Sequence, residues 1–508
     1  MAASDPPFPP LPLSELIHYM TIDEWMARSG VGFGTSGARG LVTSMTDAVC
    51  FAYVLGYLQH LASLGEFAPG KPVALAGDLR PSTPRILRAC AEAVVYAGGV
   101  PVFCGFVPTP ALCLHAYSRA IPSLMVTGSH IPADRNGIKF NRATGEFLKE
   151  DEPGMRAQQV AIPEGRFDGD GMLIAPAPLP EPIDVLSPYI ARYRDFFGEQ
   201  ALTGLTLGVY QHSAVGRDCL VSILQALGAD VTALARSDIF MPVDTEAVRP
   251  EDAALAREWA ALDRYDAILT TDGDSDRPLL ADRRGQWLRG DVLGILASRH
   301  LGAQSVTTPV NSNTALEKAG FAPRIQRTRI GSPYVVAGMT DAARAGSAPS
   351  VGYEANGGFL LASPVSLEDR HLDALPTRDA VLPMLCALVA ARAHGGDLAA
   401  LTASLPSRYT LSDRLSPLPG ARSAEEITAL KEAVAVTPVL APFLSYSGEI
   451  ATMDETDGLR LSFANGDILH FRPSGNAPEL RVYVESDSPQ QAEKLLATGM
   501  AFVTPWRD

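Results

Sequence analysis

Short runs rich in Val, Ile and Leu alternate along this chain with longer Ala- and Leu-rich stretches, and glycines, prolines and aspartates separate the two. "PVALAGDLR" (72–80) ends on a charged pair and leads into the helical "TPRILRACAEAVVYAG". "SLMVTGSH" (123–130), "LTLGVYQHSAVGRD" (205–218), "YDAILTTDGDSDRP" (265–278) and "QSVTTPVNSNTALEKAG" (304–320) repeat the pattern. An apolar strand followed by a helix, again and again, can bury its residues only in parallel sheets covered by helices. The character changes near residue 403. "GLRLSFANGDILHFRPS" alternates apolar and polar residues around Asn465-Gly466, a hairpin signal, and the helical "SPQQAEKLLATGMAFV" follows a further strand, "ELRVYVES".

The length of 508 residues predicts several domains, and three consecutive α/β units suggest structural copies of one another. A Pro-rich patch, "IAPAPLPEPIDVLSP" (174–188), reads as the linker after the first, and "RDAVLPMLCALVAARA" (378–393) reads as a helix of the third. The net charge of -15 argues against nucleic acid or an anionic membrane as a partner. The six cysteines are scattered with no CxxC pair, which predicts reduced thiols and a cytoplasmic setting. Residues 93–118 hold no Asp, Glu, Lys or Arg, but Pro101, Pro108 and Pro110 speak against a membrane helix.

Five loops carry candidate chemistry. In "DGDSDRP", Asp272, Asp274 and Asp276 fall at alternate positions directly after a strand, and three converging carboxylates call for a cation. Oxygen ligands alone select Mg²⁺ or Ca²⁺, and an EF-hand is ruled out by Arg277 at its sixth position. "LMVTGSH" presents Ser129 at a strand's carboxyl end, where α/β sheets place ligands, without the G-x-S-x-G of a hydrolase elbow. His130 follows at once, and neighbouring strand positions would point to opposite faces. "GTSGARG" (34–40) is a glycine-rich loop ending near Arg39; it lacks a preceding strand, so it suits phosphate and not a dinucleotide. "GYEANGG" carries Glu354 and Asn356, and "RPSGNAPELR" (472–481) offers Arg472, Ser474, Gly475 and Asn476 as a second phosphate grip. A serine beside a divalent cation, between two anion sites, predicts phosphoryl transfer through a phosphoserine.

Taken in this order, the loops resemble the α-D-phosphohexomutase superfamily over residues 30–490. "TGSHIPADRNGIKF" is similar to its phosphoserine loop, "DGDSDRP" to its metal loop, "GYEANGG" to its sugar-specificity loop and "RPSGNAPELRVYVES" to its C-terminal phosphate loop. The resemblance implies four domains around a central cleft: three related α/β domains (1–184, 185–299 and 300–402) and a smaller α+β domain (403–508). It implies that Ser129 donates and accepts the phosphoryl group and that Asp272, Asp274 and Asp276 hold Mg²⁺ together with Ser129. By the same resemblance Arg39, His130 and Lys139 surround the reacting groups, and Arg277, Glu354, Asn356, Arg472, Ser474, Gly475 and Asn476 hold substrate. The expected reaction interconverts mannose 6-phosphate and mannose 1-phosphate through a hexose 1,6-bisphosphate. Glucose phosphates are the alternative within the class; a serine-dependent phosphatase or a non-catalytic sugar-phosphate binder are the alternatives outside it. Ile131, Ser332 and Gly358 depart from the family pattern, the last two where relatives carry histidines, which bears on sugar preference and proton transfer.

Overall fold

Three times along the chain a sheet is laid down by the same path. In the first unit, strand Pro72–Gly77 lies between its parallel neighbours Val100–Phe106 and Ser123–Val126, and the chain then returns antiparallel as Arg135–Arg142. In the second, Thr206–His212 lies between Asp230–Arg236 and Ala267–Thr271, with Pro278–Asp282 as the antiparallel return. In the third, Ser305–Pro309 lies between Arg324–Thr328 and Ser350–Tyr353, with Phe359–Leu361 returning. The shared order supports the expectation of three structural copies. The computed structural model describes residues 19–34, 37–434, 439–474 and 478–507.

Additions distinguish the copies. Ala38–Leu41 and Gly32–Phe33 extend the first sheet beyond the return strand, and Leu375–Asp379 extends the third. Residues 378–380, expected to open a helix, therefore belong to or follow an edge strand, and the helix spans Val381–Arg392. Pairing of Asp379 with Phe359 overrides the helical propensity of the segment. The last unit is an antiparallel sheet in the order Tyr409–Leu415, Leu480–Ser486, Ile468–Pro473, Leu459–Phe463, Ile450–Asp454. Its expected hairpin is present, with Gly466 at φ 89 in the turn. Helix Pro489–Val503 covers it, capped by Ser488, whose side chain accepts from Gln491 N–H.

Helix burial follows the sequence pattern. Thr83–Tyr96 buries Ile86, Leu87, Cys90 and Val94, one stripe at helical spacing, against the first sheet. Val381–Arg392 is apolar all round and buries residues on every side, as a helix packed between layers must. One continuous apolar cluster runs from Ala74 through Tyr189, Leu269 and Val306 to Leu405, tying the three α/β units together. The last unit keeps a separate core around Phe443, Leu461, Phe471 and Val482. All six cysteines are buried and unpaired. Among the described residues no helix is long and apolar enough to cross a membrane.

Candidate active site

In each α/β unit the third parallel strand runs into a loop before the antiparallel return, and these three equivalent loops meet. The first carries Ser129. Strand Ser123–Val126 stops short of it, and Ser129 takes φ 56, a left-handed conformation that a side chain adopts only when its surroundings enforce it. The enforcement is visible. Ser129 N–H donates to Thr127 Oγ1 (2.7 Å), and Thr127 Oγ1 donates to Asp78 Oδ2 (2.7 Å). Arg80 lies buried beneath the loop. Its Nε donates to Asp78 (3.1 Å), Nη1 to the carbonyls of Pro132 (2.7 Å) and Arg135 (2.9 Å), and Nη2 to those of Ser129 (2.8 Å) and Ile131 (2.6 Å). Because Ser129 and His130 lie in this turn and not on a strand, the expectation that they face opposite ways fails: Ser129 Oγ is 3.4 Å from His130 Nδ1.

The second loop brings the three aspartates. Ser129 Oγ donates to Asp272 Oδ2 at 2.5 Å. Carboxylate oxygens of Asp272, Asp274 and Asp276 lie within 4.8 Å of one another, all buried. Asp272 Oδ1 accepts from the backbone N–H groups of Asp276 and Arg277, which shapes the turn (both 3.2 Å). Gly273 lets the two loops close on each other, since a Cβ there would stand 2.7 Å from the Ser129 carbonyl oxygen. Lys139, four residues into the return strand of the first unit, donates to Asp274 Oδ2 and Asp276 Oδ2, both at 2.6 Å. Thr109 Oγ1 donates to Asp274 Oδ2 at 2.5 Å.

Asp274 Oδ1 and Asp276 Oδ1 are buried with no hydrogen-bond partner. Buried carboxylate oxygens without donors are costly unless a cation meets them, so the donor set fits a hard divalent ion. Burial, then the charges of Asp274 and Asp276, push the Asp272 carboxyl well above its usual range. Lys139 is held above the ordinary lysine value: burial opposes its charge, but Asp274 and Asp276 outweigh burial.

Around the aspartates stand guanidinium groups. Arg277 Nη1 donates to His130 Nδ1 at 2.9 Å, and its Nε lies 3.7 Å from Asp276 Oδ1. Burial and the charges of Arg277 and Arg39 push His130 down to about 3, so the imidazole is neutral and its Nδ1 lone pair is taken by Arg277. Burial and the neighbouring Arg277 and Arg378 lower Arg39 to about 10. A guanidinium depressed by burial and by two neighbouring cations marks a place suited to an anion.

The third loop contributes Glu354, whose Oε2 is buried without a hydrogen-bond partner and lies 3.5 Å from Arg378 Nη1. Asn356 serves its own loop. Its Oδ1 accepts from Gly358 N–H (3.0 Å) and its carbonyl accepts from Thr245 Oγ1 (2.7 Å).

In the last unit, Arg472 sits on strand Ile468–Pro473 and donates through Nε to Asp457 Oδ2 at 2.8 Å. Asp457 also accepts from Ile330 N–H (2.9 Å), linking this unit to the third beside Gly331-Ser332. Ser474 N–H donates to the Glu479 carbonyl (2.9 Å), while Gly475 and Asn476 lie outside the described residues. The structure thus gathers Ser129, His130, Lys139, the three aspartates, Arg277 and Glu354, with Arg39 alongside. Sequence reasoning missed Arg80 and Arg378. For Arg80 a signal existed, the Asp-x-Arg closing "PVALAGDLR"; Arg378 was hidden inside a segment that reads as helix.

Comparison with known proteins finds the same ordering. Family models match the chain as phosphoglucomutase/phosphomannomutase alpha/beta/alpha domain I over residues 30–158, domain III over 289–409 and the C-terminal domain over 418–500. A phosphomannomutase of Sinorhizobium fredii is 43% identical over 473 residues, covering 93% of this chain and 98% of its own length. A phosphomannomutase of Salmonella muenchen is 42% identical over 475 residues, covering 93% and 95%. The solved structure of a phosphoglucomutase/phosphomannomutase family protein from Burkholderia thailandensis shares the fold with TM-score 0.69 at 20% identity, over 93% of this chain and 97% of that one.

Proposed function

We propose that this chain, which belongs to the phosphoglucomutase/phosphomannomutase family, is a phosphomannomutase that interconverts mannose 6-phosphate and mannose 1-phosphate. The observation that carries the reading is Ser129 Oγ, 2.5 Å from one of three clustered aspartates and walled by cations, in a chain that is 43% and 42% identical to two phosphomannomutases. A cytoplasmic setting agrees with six buried, unpaired cysteines.

The reaction needs a phosphoryl group that leaves Ser129 Oγ for the free hydroxyl of the sugar phosphate. The product of that half-step is a hexose 1,6-bisphosphate. It turns over within the site and returns its other phosphoryl group to Ser129, and the isomeric monophosphate departs. Asp272, Asp274 and Asp276 would hold Mg²⁺ beside the serine. When bound, Mg²⁺ withdraws charge from the transferring phosphoryl oxygens, typically worth several kcal/mol.

The chain's own side chains do the rest. Arg277 and Arg39 supply fixed positive charge where the phosphoryl oxygens gather. The loop geometry enforced by Arg80 fixes Ser129 Oγ in place, which removes an orientational cost from each transfer. As the serine oxygen leaves phosphorus it gains a proton, and the sugar hydroxyl loses one. Lys139, hydrogen-bonded to Asp274 and Asp276, is the group assigned as donor for the first event, and its free amine takes the second. His130 accepts a hydrogen bond from Arg277 and keeps that guanidinium aimed at the site. Glu354 presents an unpartnered oxygen to sugar hydroxyls, and Arg472 with Ser474 of the last unit grips the non-reacting phosphate.

The test is product analysis with purified chain, Mg²⁺ and a trace of bisphosphate, offering mannose, glucose and glucosamine 1-phosphates side by side. Isomerisation with the highest kcat/KM on mannose supports the reading. Release of inorganic phosphate makes the chain a phosphatase, and no turnover of any of the three makes it a binder.

A further inference from the structure

The oxygens of the three aspartates divide into two sets. Asp274 Oδ2 accepts from Lys139 Nζ (2.6 Å) and from Thr109 Oγ1 (2.5 Å). Asp276 Oδ2 accepts from Lys139 Nζ (2.6 Å) and from Arg378 Nε (3.0 Å). Asp272 Oδ1 accepts from the backbone N–H groups of Asp276 and Arg277 (both 3.2 Å). A carboxylate oxygen has about two lone pairs to offer, so one oxygen of each aspartate is filled. The other set is open. Asp274 Oδ1 and Asp276 Oδ1 are buried without a hydrogen-bond partner, and Asp272 Oδ2 accepts from Ser129 Oγ. Donors on one oxygen decide how the carboxylate is turned, and therefore which oxygen is left for a cation.

One of these donors comes from outside the aspartate loop's own unit on a rigid support. Thr109 is 3% exposed and opens helix Thr109–Ser118, the crossover between strands Val100–Phe106 and Ser123–Val126 of the first unit. Ala111, Leu112 and Ala116 of that helix are buried in the apolar cluster shared by the α/β units, so its first turn is a fixed post. The post meets the loop twice. Besides the hydroxyl bond, Thr109 N–H, which no carbonyl within its own helix can reach, donates to the Asp274 carbonyl (3.0 Å). The backbone bond fixes the threonine against the loop, and the hydroxyl then fixes the carboxylate. Among the described residues, Thr109 is the one uncharged side chain that donates to a filled oxygen of the three. Removing its hydroxyl frees a lone pair on Asp274 Oδ2 and lets the carboxylate rotate, without changing the charge of the site.

We propose that Thr109 is a positioning residue for the divalent cation: by filling Asp274 Oδ2 it reserves Oδ1 for the ion, so the first unit helps to set how tightly the second unit's aspartates bind it. The inference rests on the reading of the three aspartates as a cation site and on nothing about the sugar.

The test is cation affinity of the full chain with Ser129 unphosphorylated, measured by electron paramagnetic resonance of Mn²⁺ with Mg²⁺ as competitor, and with the cation-free melting temperature recorded. Thr109→Ala removes the hydroxyl, Thr109→Val replaces it by a methyl of the same shape, and Thr109→Ser keeps it. Loss of a hydrogen bond behind a metal ligand typically costs 10- to 100-fold in affinity, so Thr109→Ala and Thr109→Val should raise Kd by ~10-fold or more. Thr109→Ser should stay within about threefold of the unmodified chain, a rescue that a purely structural role of the side chain would not tie to the hydroxyl. A rise of less than about threefold in folded Thr109→Ala overturns the proposal, as does a loss in Thr109→Ser equal to that in Thr109→Ala. If Thr109→Ala fails to fold, Thr109→Val decides by the same criterion. An unmodified chain that binds neither cation refutes the aspartate reading, and this inference with it. Hydroxyl-dependent cation binding in a chain that isomerises no sugar phosphate refutes the functional reading and leaves this inference standing.

Discussion

Replacing Arg80 by lysine tests whether the serine is catalytic because it is held. Arginine has five N–H donors, and at Arg80 every one is used: one on Asp78 and four on carbonyls of residues 129, 131, 132 and 135. Lysine keeps the positive charge that pairs with buried Asp78 but has three donors, so at least two carbonyls of the loop lose their partners. Hydrogen bonds from a charged donor contribute ~1.5 to 3 kcal/mol each, so the held conformation loses about 3 kcal/mol at the low end. Ser129 sits at φ 56, an arrangement the loop abandons when these bonds go. If the held state is the reactive one, about 3 kcal/mol becomes a fall in kcat of ~10²-fold. The assay pairs initial rates on mannose 1-phosphate with amide hydrogen exchange across residues 127–136. Exchange should quicken there and stay unchanged in the last unit. A kcat within threefold of the unmodified chain, with slow exchange retained, would show that the loop stands without its arginine.

Ser129→Ala should abolish isomerisation, and mass spectrometry of the unmodified chain should find phosphate on Ser129 and on no other serine. Chelation should remove activity and Mg²⁺ restore it, while Asp274→Ala loses at least ~10²-fold; a fully active chelated chain contradicts the aspartate reading. Arg472→Ala should raise KM by ~10-fold, the equivalent of one charged hydrogen bond, and leak 1,6-bisphosphate into solution, where chromatography detects it. Burial holds His212 and His470 down to about 4 in the folded chain, so the unfolded chain takes up protons first as pH falls below its value of about 6.5. Stability should be intact above that value and decline towards pH 4, by about 2 kcal/mol per histidine at pH 5. A melting temperature equal at pH 7 and pH 5 would refute the neutral assignment.

What could be read from the sequence was what the chain does locally. Ser129 and the three aspartates each follow an apolar strand within a few residues, so strand, loop and chemistry appear together in one window. The repeated path of the sheets was legible for the same reason. The failures share a cause too. Ser129 and His130 were assigned to strand geometry because the apolar run gives no sign that pairing stops at Val126; Arg80, 49 residues away, imposes the turn. Arg378 looks like the first residue of a helix, and its partners Glu146, Asp276 and Glu354 come from a short strand and two loops elsewhere in the chain. Asn356 spends its side-chain oxygen on the Gly358 N–H, a contact inside its own loop that no spacing in the sequence announces. Side chains that act across long sequence separations leave no periodicity to find.

The contacts of Lys139 bear on how the chain is made. Lys139 belongs to a sheet that is complete by residue 146, yet the aspartates that neutralise it are 135 and 137 residues further on. Domains form as units while a chain emerges from the ribosome, at ~5 to 20 residues per second. For several seconds, then, the first unit exists with a lysine destined for burial and no carboxylate to bury it against. The second unit waits in turn for Arg378 to settle Asp276. Lys139 and Arg378 reach Asp274 and Asp276 only across units, so docking in the correct register is what completes their neutralisation, and a misdocked pair leaves ions stranded in an apolar seam. The catalytic cluster thus doubles as the checkpoint of assembly. A nascent chain stalled before residue 270 should remain open at this surface and available to chaperones, and release past residue 380 should close it.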